Sequence, residues 1–193
     1  MGRWEPNARG RLAQAALTLY AEQGFEQTPA AEIARAAGLT ERTFFRHFAD
    51  KREVLFYGTG ALRDVIVRAI ADAPPAATAM DVVGLVLESV GTMVQETPGI
   101  ARARAEVVSA NPELRERELV KLAEVAAAIA RALRDRGVPE PAASLTAEAG
   151  VAIYKVSFAR WISEPGQPDL PAILRESMAA LKSALSERLP SPA

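Results

Sequence analysis

The sequence predicts an all-α protein of about nine helices, and three observations carry that expectation. Alanine is very common among the 193 residues, with leucine, arginine and glutamate behind it, and all four are strong helix formers. Valine and isoleucine nowhere alternate with polar residues over a strand-length run. Helix start and stop signals recur along the whole chain: capping side chains, prolines at first helical positions and stop glycines. Their spacing predicts an N-terminal three-helix helix-turn-helix module over 1–52 and a helical bundle over 53–193.

The elements follow in order. A first helix starts after Asn7 as N-cap and ends at Gly24, with Leu12, Ala15, Ala16 and Leu19 on one face. Thr28-Pro29 reads as an N-cap with proline at the first helical position, opening a short second helix that stops at Gly38. Thr40 caps a third helix ending near Phe48. Asp50-Lys51-Arg52-Glu53 has the form of a capping box and starts a fourth helix reaching to about Asp72. The later helices span about 81–96, 100–109, 112–136, 141–163 and 170–189, the third of these opened by Asn111-Pro112 and stopped by Gly137. The closing PSPA is expected to fray.

Composition removes several function classes. There are no cysteines, so disulfides, thiolate metal sites and thiol catalysis are excluded. The single histidine has no second histidine to join it in a metal or catalytic site, and no clustered carboxylates or phosphate loop occur. Neither a cofactor nor an enzymatic role is expected. MGRWEPNARGRL lacks the apolar core of a signal peptide, and the longest apolar stretch, around 82–94, is too short and too polar to span a bilayer. A cytoplasmic protein without a membrane partner is the expectation. Net charge is −1, unevenly spread. Residues 1–52 hold eight Arg/Lys against six Asp/Glu, net +2, and the remainder holds 15 against 18, net −3. The sign suits an N-terminal module that meets an anion.

The stretch GLTERTFFRHFADK, residues 38–51, holds three of the six phenylalanines, two arginines and the only histidine. Phe44 and Phe48 are four residues apart and share a helix face, where Ile33, Leu19 and Phe25 or Leu55 can complete a small core. The opposite face then presents Thr40, Glu41, Arg42, Thr43, Phe45, Arg46 and His47. Two short helices joined through AAGLT are the form of a helix-turn-helix. Arginine can bond guanine O6 and N7 in the major groove, and threonine can bond base edges or touch a thymine methyl. Thr28, Lys51 and Arg52 stand at helix starts, where phosphates are held. A solvated, charged helix face is the plain alternative.

The order of these pieces resembles the N-terminal domain of the tetracycline-repressor (TetR) family of bacterial regulators. The resemblance lies in ALTLYAEQGFEQTPAAEIARAAGLTERTFFRHFADKREVLF: a helix ending in GF, a capping threonine, EIARAAGLT, T-F-F-x-H-F, then D-K and an apolar residue. It implies a homodimer on a palindromic operator with the third helix in the major groove. By matched position it places Thr40, Glu41, Arg42, Thr43 and Arg46 at or near bases, and Thr28, Phe45, His47 and Lys51 at the backbone. Phe45 departs from the family, which often has tyrosine there, so no hydroxyl reaches a phosphate. His47 has two readings, a packed or capping residue and a phosphate contact.

The resemblance also assigns roles to the later helices. Its last two helices pair with those of a second copy, and Phe158, Leu170, Leu174, Met178, Leu181 and Leu185 are the candidates for that dimer interface. The family's inducer cavity is walled by the fourth to eighth helices, which nominates Glu88, Gly91, Met93, Val107, Val108, Leu122, Val125 and Trp161 for a small, hydrophobic inducer. Gly84, Glu88, Gly91 and Gln95 form one stripe of an otherwise apolar helix, and two glycines on one face ask for a reason. A pocket wall supplies one, and a closely packed or solvent-facing stripe supplies another. The expected function is a sequence-specific DNA-binding repressor released by its ligand, with a TetR-like DNA-binding adaptor that senses nothing as the alternative.

Overall fold

A computed structural model describes residues 7–166 and 168–186; the PSPA end lies outside them, as do positions 187–189 of the expected last helix. Among the described residues there are nine α-helices, one 3-10 turn and no strand.

Helix α1 (Ala8–Gln23) begins where Asn7 Oδ1 accepts the Gly10 N–H at 3.1 Å, and it ends at Gly24. Helix α2 (Ala30–Ala36) starts one residue later than the capping signal predicts. Thr28 is not its cap: the side chain is fully buried, its hydroxyl donates to the Gly24 carbonyl at 2.7 Å and accepts from Gln23 Nε2 at 3.3 Å. Gly38 carries φ +68°, the left-handed turn before α3 (Glu41–His47), whose cap is Thr40 as expected.

The expected fourth helix is two elements. Asp50 Oδ1 accepts the N–H groups of Arg52 and Glu53 at 2.8 and 3.1 Å, but Glu53 turns its carboxylate to Arg117 instead of closing the box. A 3-10 turn (Glu53–Phe56) results, followed by a separate α4 (Thr59–Asp72), with Gly58 and Gly60 weakening helix continuation between them.

Packing divides the chain into two compact units. The first takes residues up to Ala61 together with Gly99–Lys121, which include most of α6 (Pro98–Ala110) and the start of α7 (Pro112–Asp135). Its core joins Leu12, Ala16, Tyr20, Ile33, Phe44 and Phe48 to Val54, Leu55 and Phe56 of the turn and to Val107, Val108 and Leu114. The boundary expected at 52/53 therefore cuts through this core. Two arginines fasten the turn: Arg104 Nε donates to the Leu55 carbonyl at 2.8 Å with its guanidinium over the Phe56 ring, and Arg117 Nε donates to Glu53 at 2.6 Å. Arg104 also pairs with Glu118 at 2.9 Å.

The second unit takes Leu62–Pro98 and the chain from Leu122 onward. Helix α5 (Ala79–Gln95) is closed at its start by a capping box between Thr78 and Asp81, and it packs against α8 (Ala142–Ser163) and α9 (Leu170–Ser186). The Gly84-Glu88-Gly91-Gln95 stripe faces α9, and close packing is its reason. A Cβ on Gly91 would stand 2.7 Å from Leu174 Cδ1, and one on Gly84 would stand 3.1 Å from Met178 Cε. Glu88 pairs with Arg175 at 3.2 Å, and Gln95 Oε1 accepts the first N–H of α9, that of Leu170, at 3.1 Å. Trp161 is fully buried, with Nε1 donating to the Pro168 carbonyl at 2.8 Å.

Candidate functional site

Helix α3 is held from behind by aromatic packing. Phe44 and Phe48 are buried with ring centres 5.6 Å apart, and Phe44 also meets Phe45 edge-to-face at 5.3 Å. With that face committed, Thr40, Glu41, Arg42, Phe45 and Arg46 are exposed, while Thr43 and His47 are half-buried. Arg42 and Arg46 have no carboxylate partner among the described residues. Thr40 and Thr43 hydroxyls lie 2.9 Å apart and bond to each other. Phe45, 53% exposed, points away from the core. A rigid helix thus offers two unneutralised guanidinium groups, two hydroxyls and an apolar ring on one face, the set that reads base edges and thymine methyls in a major groove.

Two of the expected backbone contacts have internal employment. Thr28 is closed off from solvent, as described above. Lys51 Nζ donates to the Phe25 and Glu26 carbonyls at 2.8 and 3.1 Å and lies 4.3 Å from the Phe25 ring centre. The Lys51 carbonyl in turn accepts from Tyr20 Oη at 2.7 Å, and burial pushes that phenol well above its ordinary value. Burial also pushes the Asp50 carboxyl up, but the Arg52 side chain and the N–H groups of Glu53 and Arg52 outweigh it and hold Asp50 below its usual value. Lys51 is therefore a strut between the α1–α2 loop and the end of α3. Lys51→Met should lower stability by about 1–3 kcal/mol, since charge-assisted bonds to two carbonyls are lost. A thermal melt read by circular dichroism checks this.

The second unit contains a cavity of about 50 Å³ between α4, α5, α7 and α8. Its walls are aliphatic, Ile66, Val86, Leu87, Val90 and Ile129 among them, with Tyr154 as the single side chain bearing a hydroxyl. Leu122 and Val125 line it as expected from sequence. The other nominated residues do not. Val107 and Val108 belong to the core of the first unit, Glu88 and Gly91 face α9, Trp161 is core, and Met93 is half-buried away from the cavity wall. Ile66 and Tyr154 went unrecognised because buried apolar residues on any of four helices look alike until the packing selects some of them.

Comparison with known proteins bears on both regions. The family described as "Bacterial regulatory proteins, tetR family" matches residues 12–57, and the family described as "MftR C-terminal domain" matches residues 76–186, more than half of the chain. The chain belongs to the TetR family. Solved structures of the same fold include Thermus thermophilus FadR, a TetR-family transcriptional repressor in complex with lauroyl-CoA. It is 22% identical with TM-score 0.61, and the match covers 96% of this chain and 98% of that one. FadR from Bacillus halodurans is 18% identical with TM-score 0.63 over 96% and 100% of the two chains. FadR from Bacillus subtilis, in complex with stearoyl-CoA, is 20% identical with TM-score 0.60 over 89% and 96%. The curated regulator TcmR from Streptomyces glaucescens is 40% identical over 62 residues, which span 32% of this chain and 27% of TcmR.

In this TetR-family chain the residues nominated for pairing with a second copy divide. Leu170 and Leu174 are buried at 0% and 1% exposure within the subunit's own core, so they offer no outer surface. Phe158 is stacked between Tyr154 and Trp161, and Met178 lies against Gly84. Leu181 is half-buried, and Leu185 stands 78% exposed. The resemblance puts α8 itself in the pairing surface, and its apolar residues extend to an outer face. There Leu145 and Val156, each 66% exposed, lie on one side with Ala152 and Ala159. Their spacing of i, i+7, i+11 and i+14 is the signal that could have found them. Among the described residues no helix is long and apolar enough to cross a membrane, and no group of side chains could hold a metal ion.

Proposed function

We propose that this chain is a cytoplasmic, homodimeric transcriptional repressor that binds a palindromic DNA operator through α3 and releases it when an apolar ligand enters the α4–α5–α7–α8 cavity. The observation that carries the DNA reading is the pair Arg42 and Arg46, exposed and unneutralised on a helix whose other face is locked by Phe44 and Phe48. Bases are read by Arg42, Arg46, Thr43, Thr40 and Glu41, with Phe45 touching apolar edges. Two copies joined through the outer faces of α8 and α9, Leu185 included, would present two α3 helices to successive major grooves, roughly 34–36 Å apart.

Aliphatic walls and a single phenol favour an alkyl chain over a charged or sugar-like ligand. The acyl-CoA complexes of the two FadR structures point the same way, and a fatty-acyl compound is the first ligand class to test. A regulator that senses nothing is not favoured, given that two of the solved structures of this fold hold an acyl-CoA. Chemistry on a substrate has no place in this reading.

Arg42→Ala should weaken operator binding by about 1–3 kcal/mol and relax preference at one base position. Selection of duplexes from a random pool, followed by fluorescence-anisotropy titration of wild type and variant, measures both. Equal affinity and equal base preference would remove Arg42 from the contact set. Adding lauroyl- or stearoyl-CoA to the wild-type complex and finding no change in anisotropy would count against the ligand class.

A further inference from the structure

The C-terminal end of α7 is closed by a left-handed turn. Gly137 carries φ +89°, its N–H donates to the Arg134 carbonyl at 2.8 Å, and the Val138 N–H donates to the Leu133 carbonyl at 3.0 Å. That turn holds Arg136, whose side chain reaches across to the end of α4. Nη1 donates to the Ile70 carbonyl at 2.9 Å, and Nη2 donates to the Ala73 and Pro74 carbonyls at 3.1 and 2.8 Å. Arg136 has no carboxylate partner among the described residues, whereas Arg134, two positions earlier, pairs with Glu140. Neutral carbonyls orient a guanidinium without cancelling its charge. The group has five N–H donors, so two remain after these three bonds.

The same guanidinium stands in the wall of a cleft of about 360 Å³ between the end of α4, the start of α5 and the end of α7. Ala73, Val82 and Leu133 are buried in its lining, Ala71 and Pro75 are exposed at it, and Arg136 is its one charged residue. Asp72 and Asp135, adjacent in sequence, do not line it. No lining residue is shared with the aliphatic cavity described above. A volume within ~300–1,000 Å³, apolar walls and a single polar group are the features of a small-molecule site.

We propose that this cleft is a second ligand site and takes a small organic monocarboxylate, with the carboxylate on Arg136 and the hydrocarbon body against Ala73, Val82 and Leu133. Size limits the body: at ~30 Å³ per atom, the share of a water molecule in the liquid, the cleft holds on the order of ten non-hydrogen atoms. Octanoate has that size. Charge selects the head group. The C-terminal end of α4 sets about half a negative charge beside the full positive charge of the guanidinium, and the remainder suits one negative charge better than the two of a phosphate. The lining has no hydrogen-bonding side chain besides Arg136, so a body bearing hydroxyls or amides would lose its bonds to water without replacement.

The test is calorimetric titration of the full chain with sodium octanoate, and competition by 1-octanol, which has the same chain and no charge. Octanoate should bind saturably, and octanol should compete about 10- to 100-fold less well, the worth of a charge-assisted hydrogen bond. Arg136→Gln keeps an amide to face the carbonyls and should weaken octanoate by the same factor. Ala71→Leu, at an exposed helical position, leaves the Arg136 bonds in place and should weaken octanoate by filling the cleft. Circular dichroism melts report whether each variant folds, and Ala71→Leu decides the matter alone if Arg136→Gln does not. Octanoate binding unchanged in the folded variants places it in the aliphatic cavity and overturns the cleft site. Octanol competing as well as octanoate overturns the role of Arg136. A wild type that takes up no octanoate overturns the proposal outright.

Discussion

Phe44→Ala is expected to destabilise the first unit by about 3–5 kcal/mol, the cost of removing a fully buried aromatic ring and leaving its cavity. Phe44 touches both Phe45 and Phe48 and belongs to the core that joins α1, α2, the 3-10 turn and α6. Its loss removes the backing of α3, so DNA binding should disappear along with cooperative unfolding of this unit. Phe45→Ala, one residue along, exposes the contrast. Its ring is already half in water, and stability should change by only about 0.5 kcal/mol, while operator affinity drops. Urea melts of the two variants beside wild type measure the difference. Similar midpoints for both would mean that Phe44 does not anchor the helix.

Val156→Arg is expected to give a monomer of intact fold that binds the operator at least ~100-fold more weakly. The side chain is 66% exposed on α8, so an arginine there meets solvent and leaves the subunit core untouched. In a dimer joined through the outer face of α8, as proposed, the same guanidinium would be buried in the interface. Losing the second half-site removes the avidity of a linked pair, about 10²–10⁴ in affinity. Sedimentation velocity reports the mass and anisotropy reports the binding. A variant that remains dimeric with full affinity would place the interface elsewhere.

Much of the first unit was legible because short-range rules fix it. Asn7, Thr40 and Gly38 act through bonds and backbone angles within four residues, and the Phe44–Phe48 spacing decides which side of α3 faces out. Thr28 was misread because its hydroxyl had two local offers, the N–H groups ahead and the Gly24 carbonyl behind, and burial decided between them. The Lys51 strut was invisible for a different reason: its partners lie 26 and 25 residues away, beyond any local pattern. Glu53 followed Arg117, 64 residues on, and so left its capping box open and split the fourth helix. In the second unit the glycine stripe of α5 announced that something approached closely without saying what. The answer, α9, required the tertiary packing, and so did the choice of which aliphatic residues border a void. Leu170 and Leu174 fit an apolar stripe equally well whether it faces inward or toward another copy.

If the effector of the proposed function enters between the aliphatic walls of the second unit, the about 50 Å³ free there, against ~300–1,000 Å³ for clefts that hold drug-sized ligands, would make it a wedge. It would then have to part helices to seat itself, so occupancy and mechanical response would become the same event. Potency across a series of alkyl chains should accordingly follow bulk up to the width that the walls tolerate, and fall away beyond it.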